Sequence, residues 1–301
     1  MRARSASGRT ATRRAARRTG LTLWFAAALA WGAFHAGAAQ AQGPAQAQRP
    51  APVQGRAQGA AGPPPPAPQN ARAEAPFDPT GYWVSLVTEA WRFRMVVPGK
   101  ADYDEIPLSL AGKMLADTFD ASAEEARGHA CKAYGAPVIM WLPGRLHISW
   151  ADDNTLRVDT DAGTQRRLLR FKPTAADAAQ PPSLQGLTTA HWIIHGAGAF
   201  GVPGRIVAGG PPPPRYGYIK ATTGHLLPGY LRKNGVPYGG KTTDMTEYWE
   251  QHTAPDGAQW LIITTKLTDP VYLADPYVFS PTFRKEPDGS KWHPTPCSLR
   301  W

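Results

Sequence analysis

The sequence predicts a mainly β protein, an antiparallel barrel or strongly curved sheet with a short helical segment before a central meander. The first observation is the alternation of residues 145–150, with Leu146, Ile148 and Trp150 on one side and Arg145, His147 and Ser149 on the other. Residues 155–160 and 164–171 alternate likewise, and Asp152-Asp153-Asn154 and Asp161-Ala162-Gly163 separate them as polar turns. With the apolar run 137–142 ahead of Pro143-Gly144, this reads as a meander of four antiparallel strands. The second observation is a long extended run from Gly81 to Val97. The third is a set of later alternating runs at 216–223, 244–252 and 260–267, the last two joined at Asp256-Gly257 as a hairpin.

From the start of the chain, residues 1–41 read as an export signal. Seven arginines (Arg2, Arg4, Arg9, Arg13, Arg14, Arg17, Arg18) precede an apolar run at 21–34 that is too short to span a membrane comfortably, and Ala39-Gln40-Ala41 offers a small-x-small cleavage site. Arg17-Arg18 ahead of Leu21 leaves both the general secretory and the twin-arginine routes open. A periplasmic or secreted protein is expected, with no stable membrane insertion after cleavage and, lacking a cysteine at the cut, no lipid anchor. Residues 42–76, rich in Pro, Ala and Gln, contain almost no large apolar side chain and read as a disordered spacer. Residues 77–301 then form a single β-rich domain.

The formal charge of +10 suggests nucleic acid only until it is located. Removing the leader arginines, and then Arg49, Arg56 and Arg72 against Glu74 in the spacer, leaves the domain within one charge of neutrality. No nucleic-acid partner is expected.

Within the domain, the run 81–97 places Trp83, Val87, Glu89, Trp91, Phe93 and Met95 on one face of a long strand. Gly81-Tyr82-Trp83 at its mouth is similar to the Gly-x-Trp signature of lipocalins, which implies a barrel-like shape. Residues 109–134 are the main helical region: Leu110, Met114 and Leu115 share a stripe, and Ser122 with Glu125 fits a capping box. These helices are expected to pack on the sheet or plug one end of a barrel. After the meander come a loop at 173–185, a short strand or helical turn at His191 to His195, and a long Gly/Pro-rich insertion at 196–215. A last strand is expected near 277–285, followed by an extended tail. Cys131 and Cys297 read as a disulfide tying that tail to the helical region, the other reading being two separate thiols.

Taken together, Phe77-Asp78-Pro79-Thr80-Gly81-Tyr82-Trp83, Cys131 with Tyr134-Gly135, Asp152-Asp153-Asn154-Thr155-Leu156, Gly229-Tyr230-Leu231-Arg232-Lys233-Asn234-Gly235, Thr246-Glu247-Tyr248 and Pro294-Thr295-Pro296-Cys297 resemble a widespread family of exported bacterial proteins of uncharacterised function. The resemblance implies an exported, β-rich protein and carries no activity or cofactor. Where that family tends to show a Gln-Gly-His-Ser-like stretch, this chain has Gln185-Gly186-Leu187-Thr188.

For chemistry, Thr88-Glu89-Ala90-Trp91 is echoed by Thr246-Glu247-Tyr248-Trp249, and each glutamate shares its face with large apolar residues. A carboxylate on a barrel's inner face either has its pKa raised by desolvation or is paired. The leading expectation is a small apolar or aromatic molecule bound in an aromatic cavity lined by Glu89, Trp91, Trp150, Glu247 and Trp249. One alternative is a cofactor-free isomerase, lyase or hydrolase using Glu89 and Glu247 as acid and base. Another is a structural or interaction role at the envelope. The bland reading of both glutamates is satisfaction by arginines or backbone amides. His191 and His195 have ligand-like spacing but no evident third ligand, so no metal is expected, and no cofactor fingerprint occurs.

Overall fold

The computed structural model describes residues 70–195 and 216–300. The expected leader over 1–41, residues 42–69 of the expected spacer and the insertion expected at 196–215 lie outside the described residues. Among the described residues twelve strands run in chain order: β1 (Gly81–Leu86), β2 (Arg145–Asp152), β3 (Thr155–Thr160), β4 (Gln165–Arg170), β5 (Leu187–His195), β6 (Tyr216–Gly224), β7 (Gly229–Tyr230), β8 (Pro237–Tyr238), β9 (Asp244–Thr253), β10 (Gln259–Thr268), β11 (Tyr277–Phe279) and β12 (Thr282–Glu286). Nine of them close a barrel in the order β10-β12-β1-β2-β3-β4-β5-β6-β9, with β9 returning to β10. Closure leaves these strands no unpaired edge. β11 and β12 are two parts of the expected last strand. Both pair along β10, with Ser280-Pro281 between them, where proline's missing N–H interrupts the ladder.

The fold departs from the fully antiparallel expectation at one seam. β4 and β5 are parallel, paired only at Leu169 with Thr188 and Arg170 with Thr189. The connection between them, which carries the short helix Ala175–Ala178, brings the chain back before β5 begins, as a parallel pair requires. The meander also has three strands instead of four. Residues 136–139, at the start of the apolar run, form a buried helical turn (Ala136–Ile139), and Pro137 at its first turn is compatible with that conformation.

The largest departure follows β1. The expected long strand stops at Leu86, Ala90 takes a left-handed backbone (φ 46°), and Trp91–Arg94 is a single helical turn. Arg94 explains the break. Its buried guanidinium donates to the carbonyls of Leu86 and Trp141, to Ser85 Oγ and to Glu89, and a continuous strand would carry these acceptors apart. The helical region then resolves into Leu110–Asp117, Ala121–Ala126 and a 3-10 turn at Ala130–Tyr134. The second of these is capped by Asp120, whose side chain accepts from the Ala123 amide, and not by Ser122. Leu110, Met114 and Leu115 face solvent, while Gly112 and Ala116 make the buried contact.

Inside the barrel, Trp83, Ile148, Leu156, Val158, Leu169, Ile219, Trp249, Leu261, Ile263 and Phe283 form one buried cluster. Ile139 and Met140 join it from the segment between β1 and β2, which therefore plugs one end. At the other end the rings of Trp150, Phe171, Trp192 and Phe77 follow one another at centroid spacings of 5.8, 5.2 and 5.2 Å. Trp192 Nε1 donates to the carbonyl of Ala71 at 2.7 Å. Ala71 lies in a short helix (Ala71–Glu74) capped by Asn70, so residues 70–76 belong to the fold although their composition reads as spacer. Cys131 and Cys297 form a disulfide, which pins the C-terminal tail to the 3-10 turn.

Candidate functional site

The five residues expected to line a single cavity are not brought to one place. Glu247 and Trp249 point into the barrel from β9, both fully buried. Glu247 accepts two hydrogen bonds from Arg167 of β4, at 2.6 and 2.9 Å, and Arg167 Nη2 also lies 3.4 Å from the hydroxyls of Thr188 and Thr223. This polar layer links β4, β5, β6 and β9 through the barrel interior. Glu89 sits instead on the loop after β1, where it pairs with Arg94 and accepts from Thr88 at 2.6 Å. Trp91 is 64 % exposed on its helical turn, and Trp150 belongs to the aromatic run at the far end. Both glutamates thus follow the arginine-paired reading. Neither offers an unengaged carboxylate for proton transfer.

The geometry instead points to a cleft of about 430 Å³ outside the barrel, between the helices of the plug and the β7–β8 hairpin. Its wall includes Phe119, Glu124, Lys132, Tyr230, Tyr238 and Tyr272. The rings of Phe119 and Tyr230 meet edge to face at 5.0 Å. Glu124 is the polar hub: it accepts from the Tyr230 hydroxyl at 2.8 Å and from Lys132 at 3.4 Å, pairs with Arg127, and has His129 Nδ1 at 3.1 Å. Burial pushes this carboxyl up, but the donation from Tyr230, Lys132, Arg127 and His129 outweighs it and holds the group down at about 2. Burial and the Glu124 charge push the Tyr230 phenol up, so it stays a donor.

Local backbone chemistry shapes the cleft. Gly235 has φ +88°, and a Cβ there would lie 2.1 Å from the Phe119 ring, so glycine permits both the turn and the contact. A Cβ on Gly229 would lie 2.5 Å from the Tyr238 hydroxyl. That hydroxyl is buried and makes no hydrogen bond among the described residues. The helix carrying Glu124 is held from behind. Glu125 accepts from the Leu299 amide at 3.0 Å and pairs with Arg300, both in the tail fixed by the disulfide.

The cleft joins stretches far apart in sequence, 115–132 and 228–238 with Tyr272, and those include motif residues around Cys131 and Gly229. No family resolves it. Comparison with protein families, with curated proteins and with solved structures returns no match for this chain. Sequence reasoning missed Glu124 because its key partner, Tyr230, is 106 residues away and nothing in the local pattern links the two. The visible signal was the pair of glycines, Gly229 and Gly235, flanking a short polar turn.

Proposed function

We propose that this is an exported binding protein, periplasmic or secreted, that takes a small neutral aromatic or apolar molecule in the cleft beside the barrel plug. The observation that carries the reading is an aromatic wall, Phe119, Tyr230, Tyr238 and Tyr272, set against a hydrogen-bonded polar cluster in a space of ligand size. Asp120 and Glu124 balance Arg127 and Lys132 around the cleft, which favours a neutral ligand over a strongly charged one. The well-packed barrel interior supports placing the ligand outside it. A disulfide suits an oxidising compartment, as do the leader expected over residues 1–41 and the resemblance of the sequence motifs to exported bacterial proteins. The Glu124 carboxyl, held at about 2 and engaged by several donors, suits an anchor for the cleft better than a base working near neutrality.

Native mass spectrometry of gently purified mature protein, followed by denaturation, tests this directly. The expected result is release of a small aromatic or apolar compound. In the Phe119→Ala/Tyr230→Phe double variant its affinity should fall by about tenfold or more, the loss of an aromatic contact and a hydrogen bond. A bare mass for the wild type, with the variants indistinguishable from it, would instead favour an interaction role at the envelope.

A further inference from the structure

A second site lies on the other side of the same loop and is independent of the cleft. Arg232, between β7 and β8, has a side chain 2 % exposed. Among the described residues, none of its three guanidinium nitrogens meets an acceptor in good hydrogen-bond geometry. Its guanidinium stacks 4.0 Å above the Phe93 ring, and Glu105, half-exposed, approaches only to 3.9 Å. Tyr277 is its other polar neighbour. Trp141, which lines the same void, keeps a buried indole N–H that is likewise unbonded among the described residues. Arg232 and Trp141 together line a void of about 10 Å³ whose other walls include Phe93, Val97 and Leu231, with no acidic side chain. A buried cation whose ion pair is this long is poorly compensated, at a cost of several kcal/mol. The polar side chains that line the void, Arg232, Lys233 and Trp141, are all donors, and there is room for about one water-sized sphere.

We propose that this void binds a single small inorganic anion of the halide class, held by Arg232 and the Trp141 indole N–H. The site has a cation, an added neutral donor and apolar walls, a set that a monatomic anion satisfies better than water, which would also bring hydrogens with no acceptor. By occupying the void the anion locks the turn that connects β7 to β8 against the Trp91–Arg94 helix.

Crystals soaked in sodium bromide provide the primary test. An anomalous bromine peak within hydrogen-bonding distance of Arg232 is expected, and a void holding only water or nothing at saturating bromide would overturn the proposal. In solution, chloride at ten times its dissociation constant should raise the melting temperature by about 3 °C over gluconate at equal ionic strength. Arg232→Met should lose this difference. Should that variant not fold, Glu105→Gln serves, because removing the nearby negative charge should tighten bromide binding by about threefold. Equal melting temperatures in the two salts, or unchanged bromide affinity in Glu105→Gln, would count against the site.

Discussion

At the scale of single residues, the arginine–glutamate pairs decide how the glutamates are to be understood. Glu247 and Arg167 are each fully buried and hydrogen-bonded to one another, so removing one partner strands the other charge. Glu247→Gln should destabilise the protein by about 3–5 kcal/mol in urea denaturation, whereas an Arg167→Met/Glu247→Leu double variant should lie close to wild type. If the single variant were as stable as wild type, the pair would not be holding the barrel interior. Glu124 makes a pH-dependent contribution with a defined sign. Its carboxyl is depressed from an ordinary value of 4.5 to about 2, so the stability it adds is complete above pH 4.5 and disappears as pH falls toward 2. The melting temperatures of wild type and Glu124→Gln should therefore differ at pH 6 and converge near pH 2. Polarity and periodicity exposed Glu89 and Glu247 as unusual, but could not show the arginines that answer them. Arg94 is close in sequence to Glu89; Arg167 lies 80 residues from Glu247 and reaches it only through the folded barrel.

At the scale of elements, alternation located the strands well where one face is buried and polar residues alternate with it. β2, β3, β6, β9 and β10 fall close to the predicted ranges. It misled where an apolar stripe had no partner waiting for it. The helix Leu110–Asp117 buries Gly112 and Ala116, and its large residues face outward. Leu110→Gln and Met114→Gln should therefore change stability by less than about 0.5 kcal/mol, while Ala116→Leu should cost about 1–3 kcal/mol by overpacking. Thermal melting of the three variants checks the orientation, and a large loss from Met114→Gln would reverse it. The strand after Gly81 misled for the opposite reason. Its alternation continues to Val97, but the acceptors that Arg94 needs can converge only if the chain turns, and satisfying a buried cation outweighs the preference of a few β-formers.

At the scale of the whole molecule, one covalent link governs both the plug and the cleft. The disulfide closes a loop of 166 residues and holds the tail against the helix that carries Glu124 and Glu125. A Cys131→Ser/Cys297→Ser double variant should lose about 2–5 kcal/mol of stability, and reductant should shift the wild-type urea midpoint in the same direction. Unchanged unfolding under reduction would show that the tail packs without the bond.

The sequence by itself determined the β-rich class, the turn-bounded strands, the expectation of a leader and spacer, the near-neutral charge of the domain and the reading of its two cysteines as a candidate disulfide, which the structure then closed. Each follows from local composition, period-two patterning or simple counting. Closure of nine strands, the parallel seam at β4–β5, the helical turn after β1 and the cleft between plug and hairpin were decided only by tertiary structure. They depend on which distant groups come to satisfy buried Arg94, Arg167 and Glu124, and no short window of sequence contains both halves of those contacts.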